Sequence, residues 1–190
     1  MTATLHWTSH DLEAFPDDGK RYEIIDGELY MSTQPHWNHQ EVCSQITTLL
    51  RLWGRESRAG RALIAPGVIF AEDDDVAPDV VWISNERLAK ALHTDGKLHA
   101  APELVIEVLS PGSRNELRDR EAKLKLYSRR GVREYWIVDW RLRQVELYRR
   151  DQLALQLFAT QCEEDLLQTP LLPGFSCWVA ALFENIPKND

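Results

Sequence analysis

The segment from residue 103 to 109, with the sequence ELVIEVL, constrains this chain more than any other part of it. Its apolar and β-branched residues predict a central strand that is buried on both faces of a sheet. Glu107 stands inside this apolar run, and burying an unpaired carboxylate is strongly unfavourable. The sequence therefore predicts a cation beside Glu107, either a basic side chain or a metal ion.

A second carboxylate stands at the start of another apolar strand. Asp79 follows Pro78 and precedes VVWI at residues 80–83. An aspartate at a strand end commonly forms an Asx turn. If the two strands are neighbours, however, Asp79 and Glu107 would form an oxygen-rich site for a hard divalent cation, Mg²⁺ or Mn²⁺. Such an ion lowers the pKa of bound water and stabilises the charge that builds on a scissile phosphate.

Lys123 is a third candidate residue. It lies in a predicted long helix, residues 116–130, which ends at Gly131. Asp119, Lys123 and Tyr127 are four residues apart and share one helix face. Lys123 could orient the attacking water or neutralise the charged phosphate. Spacing alone favours the simpler interpretation, a surface ion pair between Asp119 and Lys123.

The remaining pattern predicts alternating helices and strands. An amphipathic helix is expected over about residues 38–53, and a hairpin over 21–31 turns at Asp26-Gly27. Further strands are predicted near residues 62–70, 80–83, 134–139, 144–149 and 153–158, an acidic turn at 72–75 and a short helix at 86–92. This order predicts a single α/β or α+β domain, residues 1–190, with a mixed sheet flanked by helices.

The charge of the chain is uneven. A formal net charge of −8 argues against a general nucleic-acid binder. Between Arg114 and Arg133, however, the sequence has eight basic residues and only three acidic ones. A basic helix face of this kind can bind phosphates, with Arg114, Arg118 and Arg120 as the expected contacts. Charge alone favours the alternative, a solvated helix face.

Several classes of protein are not expected. The cysteines, Cys43, Cys162 and Cys177, are odd in number and widely spaced, which fits neither a disulfide framework nor a zinc site. The six histidines show no zinc-enzyme spacing. No apolar run approaches the ~20 residues of a membrane span, and no signal peptide is recognisable, so we expect a cytoplasmic protein.

Five segments together resemble a known family. They are YEIIDGEL at 22–29, the helix start at 36–41, APDVVWIS at 77–84, PELVIEVLSPGS at 102–113 and DREAKLKLYSRRGVREYWIVD at 119–139. In this order and spacing they resemble the PD-(D/E)XK nuclease superfamily, and within it the Uma-two family of restriction-endonuclease-like proteins. The resemblance covers residues 8–150 and leaves 151–190 as a C-terminal extension.

The resemblance implies a restriction-endonuclease-like fold and metal-dependent phosphodiester hydrolysis. The metal-binding acids correspond to Asp79 and Glu107. The superfamily lysine would stand at position 109, where this chain has Leu109, and Lys123 on the following helix is the match. The pattern also includes Glu23, either an auxiliary acid of the metal cluster or a structural partner, and His39, either a phosphate contact or a helix cap.

Three hypotheses follow. The first is a Mg²⁺-dependent DNA endonuclease that acts as a homodimer. The second is a catalytically inactive nucleic-acid-binding or regulatory module, which would gain support if Lys123 pointed away from the two acids. The third is a structural oligomer, which would gain support if Glu107 paired with a buried Arg or Lys and no cavity lay beside it.

Overall fold

The computed structural model describes residues 5–187, apart from the side chain of Ser113. Within this range the strands form sheets of six, four and two strands. The helices are α1 Ser9–Leu12, α2 Trp37–Ser57, α3 Asn85–Ala91, α4 Ser113–Leu117 and α5 Leu124–Arg130, with a π-helical segment Arg118–Lys123 and a 3-10 helix Val179–Phe183. The strands are β1 Arg21–Ile25, β2 Glu28–Ser32, β3 Gly60–Ile64, β4 Val68–Ala71, β5 Asp74–Val76, β6 Val80–Ser84, β7 Leu104–Val108, β8 Glu134–Asp139, β9 Gln144–Asp151, β10 Ala154–Cys162, β11 Leu166–Gln168 and β12 Ser176–Trp178.

The six-stranded sheet has the order β10-β9-β8-β7-β6-β3 and is mixed. Strands β7 and β8 are parallel, and the other pairs are antiparallel. All residues of β7 and β8 are buried, as expected for central strands. The parallel pair requires a crossover connection, which α4, the π-helical segment and α5 supply. The predicted mixed sheet flanked by helices is thus confirmed.

Separate hydrophobic clusters cover the two faces of this sheet. On one face, Val42, Ile46 and Leu50 of α2 are buried at the four-residue spacing of a helix stripe. The chain after β10 folds back onto the same cluster, through residues such as Leu172 and Phe183. The other face is covered by α5 and by residues of the four-stranded sheet. Among the helices of residues 5–187, none combines the length and the apolar composition of a membrane span.

The four-stranded sheet, in the order β2-β1-β5-β4, differs in part from the sequence prediction. The hairpin is confirmed, and its turn residues Asp26 and Gly27 both have positive φ. The predicted acidic turn at 72–75 is confirmed only at residues 72 and 73, because Asp74 and Asp75 belong to the buried strand β5. Arg129 and Arg130 both bond the carboxylate of Asp74, which compensates its burial.

The helical crossover also differs from the prediction. The expected continuous α-helix over residues 116–130 is interrupted by the π-helical segment. Asp119 and Lys123 are both buried, with 1% of their surface exposed, so the expected surface ion pair is wrong. Gly131 ends α5 with a φ of 85°, as the sequence predicted.

Candidate active site

A cavity of about 400 Å³ lies where the four-stranded sheet meets the end of the central sheet. Asp79, Glu107 and Val108 line it from the central sheet, and Arg21 and Glu23 line it from β1. Lys123 and Arg118 enter from the π-helical segment, and His39 from the first turn of α2. Elements distant in sequence therefore bring several charged side chains to one cavity.

Strand pairing places Asp79 and Glu107 on the same face of the sheet. The antiparallel register pairs Val80 with Ile106, and the next step of this register sets Asp79 opposite Glu107. Cβ atoms at such positions are about 4.5–5.5 Å apart. In addition, Asp79 Oδ2 accepts a hydrogen bond of 2.9 Å from the backbone N–H of Val108. The two side chains therefore leave the sheet side by side on the face that lines the cavity.

The surroundings of Asp79 favour its ionised form. Burial opposes ionisation, since Asp79 is only 7% exposed. His39 Nε2 lies 3.1 Å from Oδ2, and Arg21 Nη1 lies 3.3 Å from Oδ1. The hydrogen bonds from His39 and from the backbone N–H of Val108, together with the charge of Lys123, outweigh burial and hold the pKa of Asp79 below its usual range.

Glu107 has the opposite electrostatic character. It is 1% exposed, and burial together with the charges of Asp79, Asp119 and Glu23 raises its pKa to about 8, although Lys123 opposes this shift. Lys123 Nζ at 2.9 Å and the Tyr127 hydroxyl at 2.7 Å both donate to the same oxygen, Oε1. This geometry leaves Oε2 as the oxygen with which Glu107 can bind a ligand.

Lys123 joins the acids of the site. Its ammonium lies 2.9 Å from Glu107 and 3.0 Å from Glu23, with Asp119 at 4.0 Å. Burial alone would lower the pKa of Lys123, but these carboxylates raise it above its usual range and keep the side chain charged. Lys123 therefore does not point away from the acids, whereas Leu109, at the position of the superfamily lysine, is buried in the core.

Both oxygens of Glu23 have partners. Oε1 accepts from the backbone N–H of Ala77 at 2.9 Å and lies 3.0 Å from Lys123, and Oε2 lies 3.8 Å from Arg118. Of the two roles left open by the sequence, this arrangement favours the structural one, because Glu23 helps to hold Lys123 in place.

Three residues near the site were not named as site residues from the sequence. Asp119 bonds Arg118 Nε at 3.0 Å, and its backbone carbonyl accepts the Tyr135 hydroxyl. Arg21 contacts Asp79, and Tyr127 contacts Glu107. The four-residue spacing of Asp119, Lys123 and Tyr127 was the available signal on the helix. For Arg21, the signal was its place two residues before Glu23 on one face of β1.

His39 faces the protein interior more than solvent, at 5% exposure. Its Nε2 contacts Asp79, and its Nδ1 lies 3.7 Å from the sulfur of Cys43. The helix-cap interpretation of His39 is wrong, because the N-cap of α2 is His36, whose ring accepts from the N–H of Asn38.

The structure separates the three arginines expected to contact DNA. Arg118 lines the cavity, and it also lines a larger neighbouring cavity of about 850 Å³, to which Arg114 belongs. Arg120 instead pairs with Glu146, away from the first cavity. Six of the eight basic side chains between residues 114 and 133 form ion pairs, so most of the expected basic face is neutralised within the protein.

Comparison with known proteins agrees with this architecture. A family model named Uma2, described as "Putative restriction endonuclease", matches residues 9–181. A crystal structure from Anabaena variabilis, described as "a putative nuclease belonging to DUF820", superposes with a TM-score of 0.74 at 20% identity, over 93% of this chain and 97% of that one. At this identity the likeness shows the fold alone.

A more distant similarity involves the type IIG restriction endonuclease BpuSI. The TM-score is 0.40 at 13% identity, and the match covers 77% of this chain but 15% of that one, which is too weak to support an argument. A search of curated proteins found no significant match.

Proposed function

This chain belongs to the Uma2 family, and on that basis we propose that it is a metal-dependent endonuclease that hydrolyses phosphodiester bonds of DNA. The observation that supports this function most is the pair of carboxylates, Asp79 and Glu107, set opposite each other at a cavity that Lys123 also lines. A carboxylate pair beside a fixed ammonium is suited to binding a divalent cation and a phosphate together.

The donor set fits Mg²⁺ or Mn²⁺. These ions prefer oxygen ligands and retain several waters when one or two carboxylates hold them. Asp79 is kept ionised, Glu107 has Oε2 available, and the cavity beside them has room for water and a phosphate group. When bound, the metal would supply an activated water and neutralise charge on the phosphate.

The remaining roles are assigned to side chains of this chain. Lys123 stabilises the charge that develops on the phosphate and helps to orient the attacking water, while its bond to Glu107 fixes its position. Glu23 also holds Lys123, through a contact of 3.0 Å. Arg118 lines both cavities and is the arginine best placed to contact a backbone phosphate.

The structural-oligomer hypothesis shares one feature with the structure, the direct ion pair between Glu107 and Lys123. That hypothesis also requires the absence of a cavity beside Glu107. Because Glu107 and Lys123 both line the cavity, their pairing is compatible with ligand binding, and the nuclease hypothesis is favoured.

The test is cleavage of supercoiled and linear DNA with Mg²⁺, with Mn²⁺ and with a chelator. We expect metal-dependent cleavage that falls by at least about 100-fold in Asp79→Ala and in Glu107→Gln. Glu134→Gln is the matched control, because Glu134 is also a buried glutamate but lies at the opposite end of the neighbouring strand β8. Equal cleavage by wild type and Asp79→Ala, or no cleavage of any DNA substrate, would contradict the proposal.

We also propose that the active form is a homodimer. The cavity supplies one candidate site per chain, and cutting both strands at one position is simplest with two sites. Sedimentation analysis with and without DNA tests this, and a strictly monomeric protein that linearises plasmid in a single binding event would contradict it.

A further inference from the structure

A chain of side-chain contacts leads from the interior to the candidate metal-binding carboxylate. His39 and Cys43 stand one turn apart on α2, and both are buried. Cys43 Sγ lies 3.7 Å from His39 Nδ1, and His39 Nε2 lies 3.1 Å from Asp79 Oδ2. The imidazole therefore has a different partner at each of its two nitrogens.

The three side chains form a group that could also be considered as a metal site, since each offers one donor atom and these atoms lie within 4.8 Å of one another. The ring geometry argues against this. A histidine binds a metal through one nitrogen, so the sulfur and the carboxylate oxygen should both approach that nitrogen. Here the sulfur lies at Nδ1 and the oxygen at Nε2, which is the arrangement of a hydrogen-bond chain.

The direction of the hydrogen bonds follows from the chemistry of the groups. An ionised aspartate only accepts hydrogen bonds, so His39 Nε2 must carry the proton that faces Asp79. In a neutral imidazole, Nδ1 is then an acceptor. The Cys43 thiol is positioned to donate to it, which fixes both the tautomer and the orientation of the ring.

We propose that Cys43 is a positioning residue, whose thiol holds His39 in the tautomer and orientation that fix the carboxylate of Asp79 for metal binding. This inference rests on the proposed function only in assuming that Asp79 binds a metal ion. Groups that hold a metal-binding side chain in place commonly contribute 10–100-fold to metal affinity. Cys43 is buried and does not line the cavity, so we expect no direct contact between its thiol and the metal.

Mn²⁺ affinity, measured by calorimetry or by electron paramagnetic resonance, provides the first test. We expect Cys43→Ala to weaken Mn²⁺ binding by about tenfold, and Cys43→Ser, which retains a hydroxyl donor, to restore most of it. Cys177→Ala is the matched control. Cys177 is partly buried against the same hydrophobic cluster as Cys43, but it does not line the cavity. Unchanged affinity in Cys43→Ala, or no rescue by a folded Cys43→Ser protein, would overturn the proposal.

Nitrogen-15 NMR of the histidine side chains provides a second test that needs no bound metal. We expect His39, assigned from a His39→Gln spectrum, to be the neutral Nε2–H tautomer in the wild type and to become a mixture in Cys43→Ala. A proton on Nδ1 in the wild type would overturn the proposal. So would a thiolate charge-transfer band with Co²⁺ that disappears in Cys43→Ser, since that band would place a metal on the sulfur.

Failure of the positioning role can be distinguished from failure of the proposed function. If the wild type bound no Mn²⁺, the metal-dependent nuclease would be contradicted, while the tautomer of His39 and its response to Cys43→Ala would still decide the positioning role.

Discussion

At the scale of single residues, the central feature is a buried lysine shared by several acids. Lys123 contacts Glu107 and Glu23 while being 1% exposed. Asp79 and Glu107 could be singled out from the sequence, because each interrupts or begins an apolar strand. The burial of Lys123 could not be derived from spacing, since a four-residue interval to Asp119 occurs equally in surface ion pairs. The spacing made Lys123 a candidate, and the family resemblance favoured a site role for it over a surface ion pair.

Replacing Lys123 by methionine tests this shared role. We expect the free energy of unfolding to fall by about 3–5 kcal/mol, because buried acids would lose their cation. Denaturant unfolding measures this change, and Lys90→Met is the control, since Lys90 forms an exposed pair with Glu86. The double variant Lys123→Met/Glu107→Gln should recover part of the loss, and a wild-type stability for Lys123→Met would contradict the described contacts.

The pKa of Glu107 predicts a pH dependence of metal binding. Because this pKa is raised to about 8, Glu107 must release a proton to bind a cation at lower pH. Mn²⁺ affinity should therefore rise by up to about tenfold per pH unit below 8 and level off above it. Calorimetry from pH 6 to 9 checks this, as about one proton should be released per ion at the acidic end.

The direction of this dependence is specific to Glu107. Asp79, whose pKa is lowered, stays ionised throughout this range and contributes no slope. In Glu107→Gln the residual affinity should be weak and nearly independent of pH. An affinity that falls with rising pH in the wild type would show that the metal does not compete with a proton on Glu107.

At the scale of secondary structure, the π-helical segment Arg118–Lys123 decides which side chains enter the site. Such segments contain a local widening of the helix and often occur at functional sites. The sequence predicted the crossover helix and its end at Gly131, because periodicity and a C-terminal glycine are strong signals. It did not predict the widening, which leaves no distinct pattern in a single sequence.

Deleting Glu121 tests the role of this widening. Glu121 is exposed within the segment, and its removal would rotate Asp119 relative to Lys123 by about 100° around the helix axis. We expect cleavage to be lost and the melting temperature to fall. Glu121→Ala is the control and should retain both, since it removes the same side chain without changing the register. Full activity of the deletion variant would show that the π-helical geometry is not required.

At the scale of the whole molecule, the cavity exists because two sheets converge at one end of the crossover. The buried strands of the central sheet could be predicted from their apolar runs. The division into two sheets could not, because β1 pairs with β5 about 50 positions later, at Ile24 and Asp75. Asp74 and Asp75 have the composition of a turn, and Arg129, Arg130 and Lys97, from distant parts of the chain, compensate their burial.

The distribution of charge over the molecule predicts weak dependence of DNA binding on salt. The chain has a net charge of −8, and most basic residues between 114 and 133 are paired internally. Each phosphate contact contributes about −0.9 to the slope of log affinity against log salt concentration. We expect a total slope of only about −2 to −4 for DNA binding measured with a calcium salt in place of magnesium.

Single arginine variants refine this prediction. Arg118→Ala should reduce the slope by about 1, because Arg118 lines the cavity, whereas Arg120→Ala should leave it unchanged, because Arg120 lines neither cavity. Fluorescence anisotropy over a range of salt concentrations measures both. A large effect of Arg120 with none of Arg118 would place the DNA on a different face of the helix.

The most direct test of the site is a crystal of the wild-type protein soaked in Mn²⁺ and measured at the manganese absorption edge. We expect one anomalous peak in the cavity, bound by oxygens of Asp79 and Glu107, with Lys123 still beside Glu107. The absence of a peak at saturating Mn²⁺, or a peak bound by His39 and Cys43 instead, would contradict the metal site on which the proposed nuclease depends.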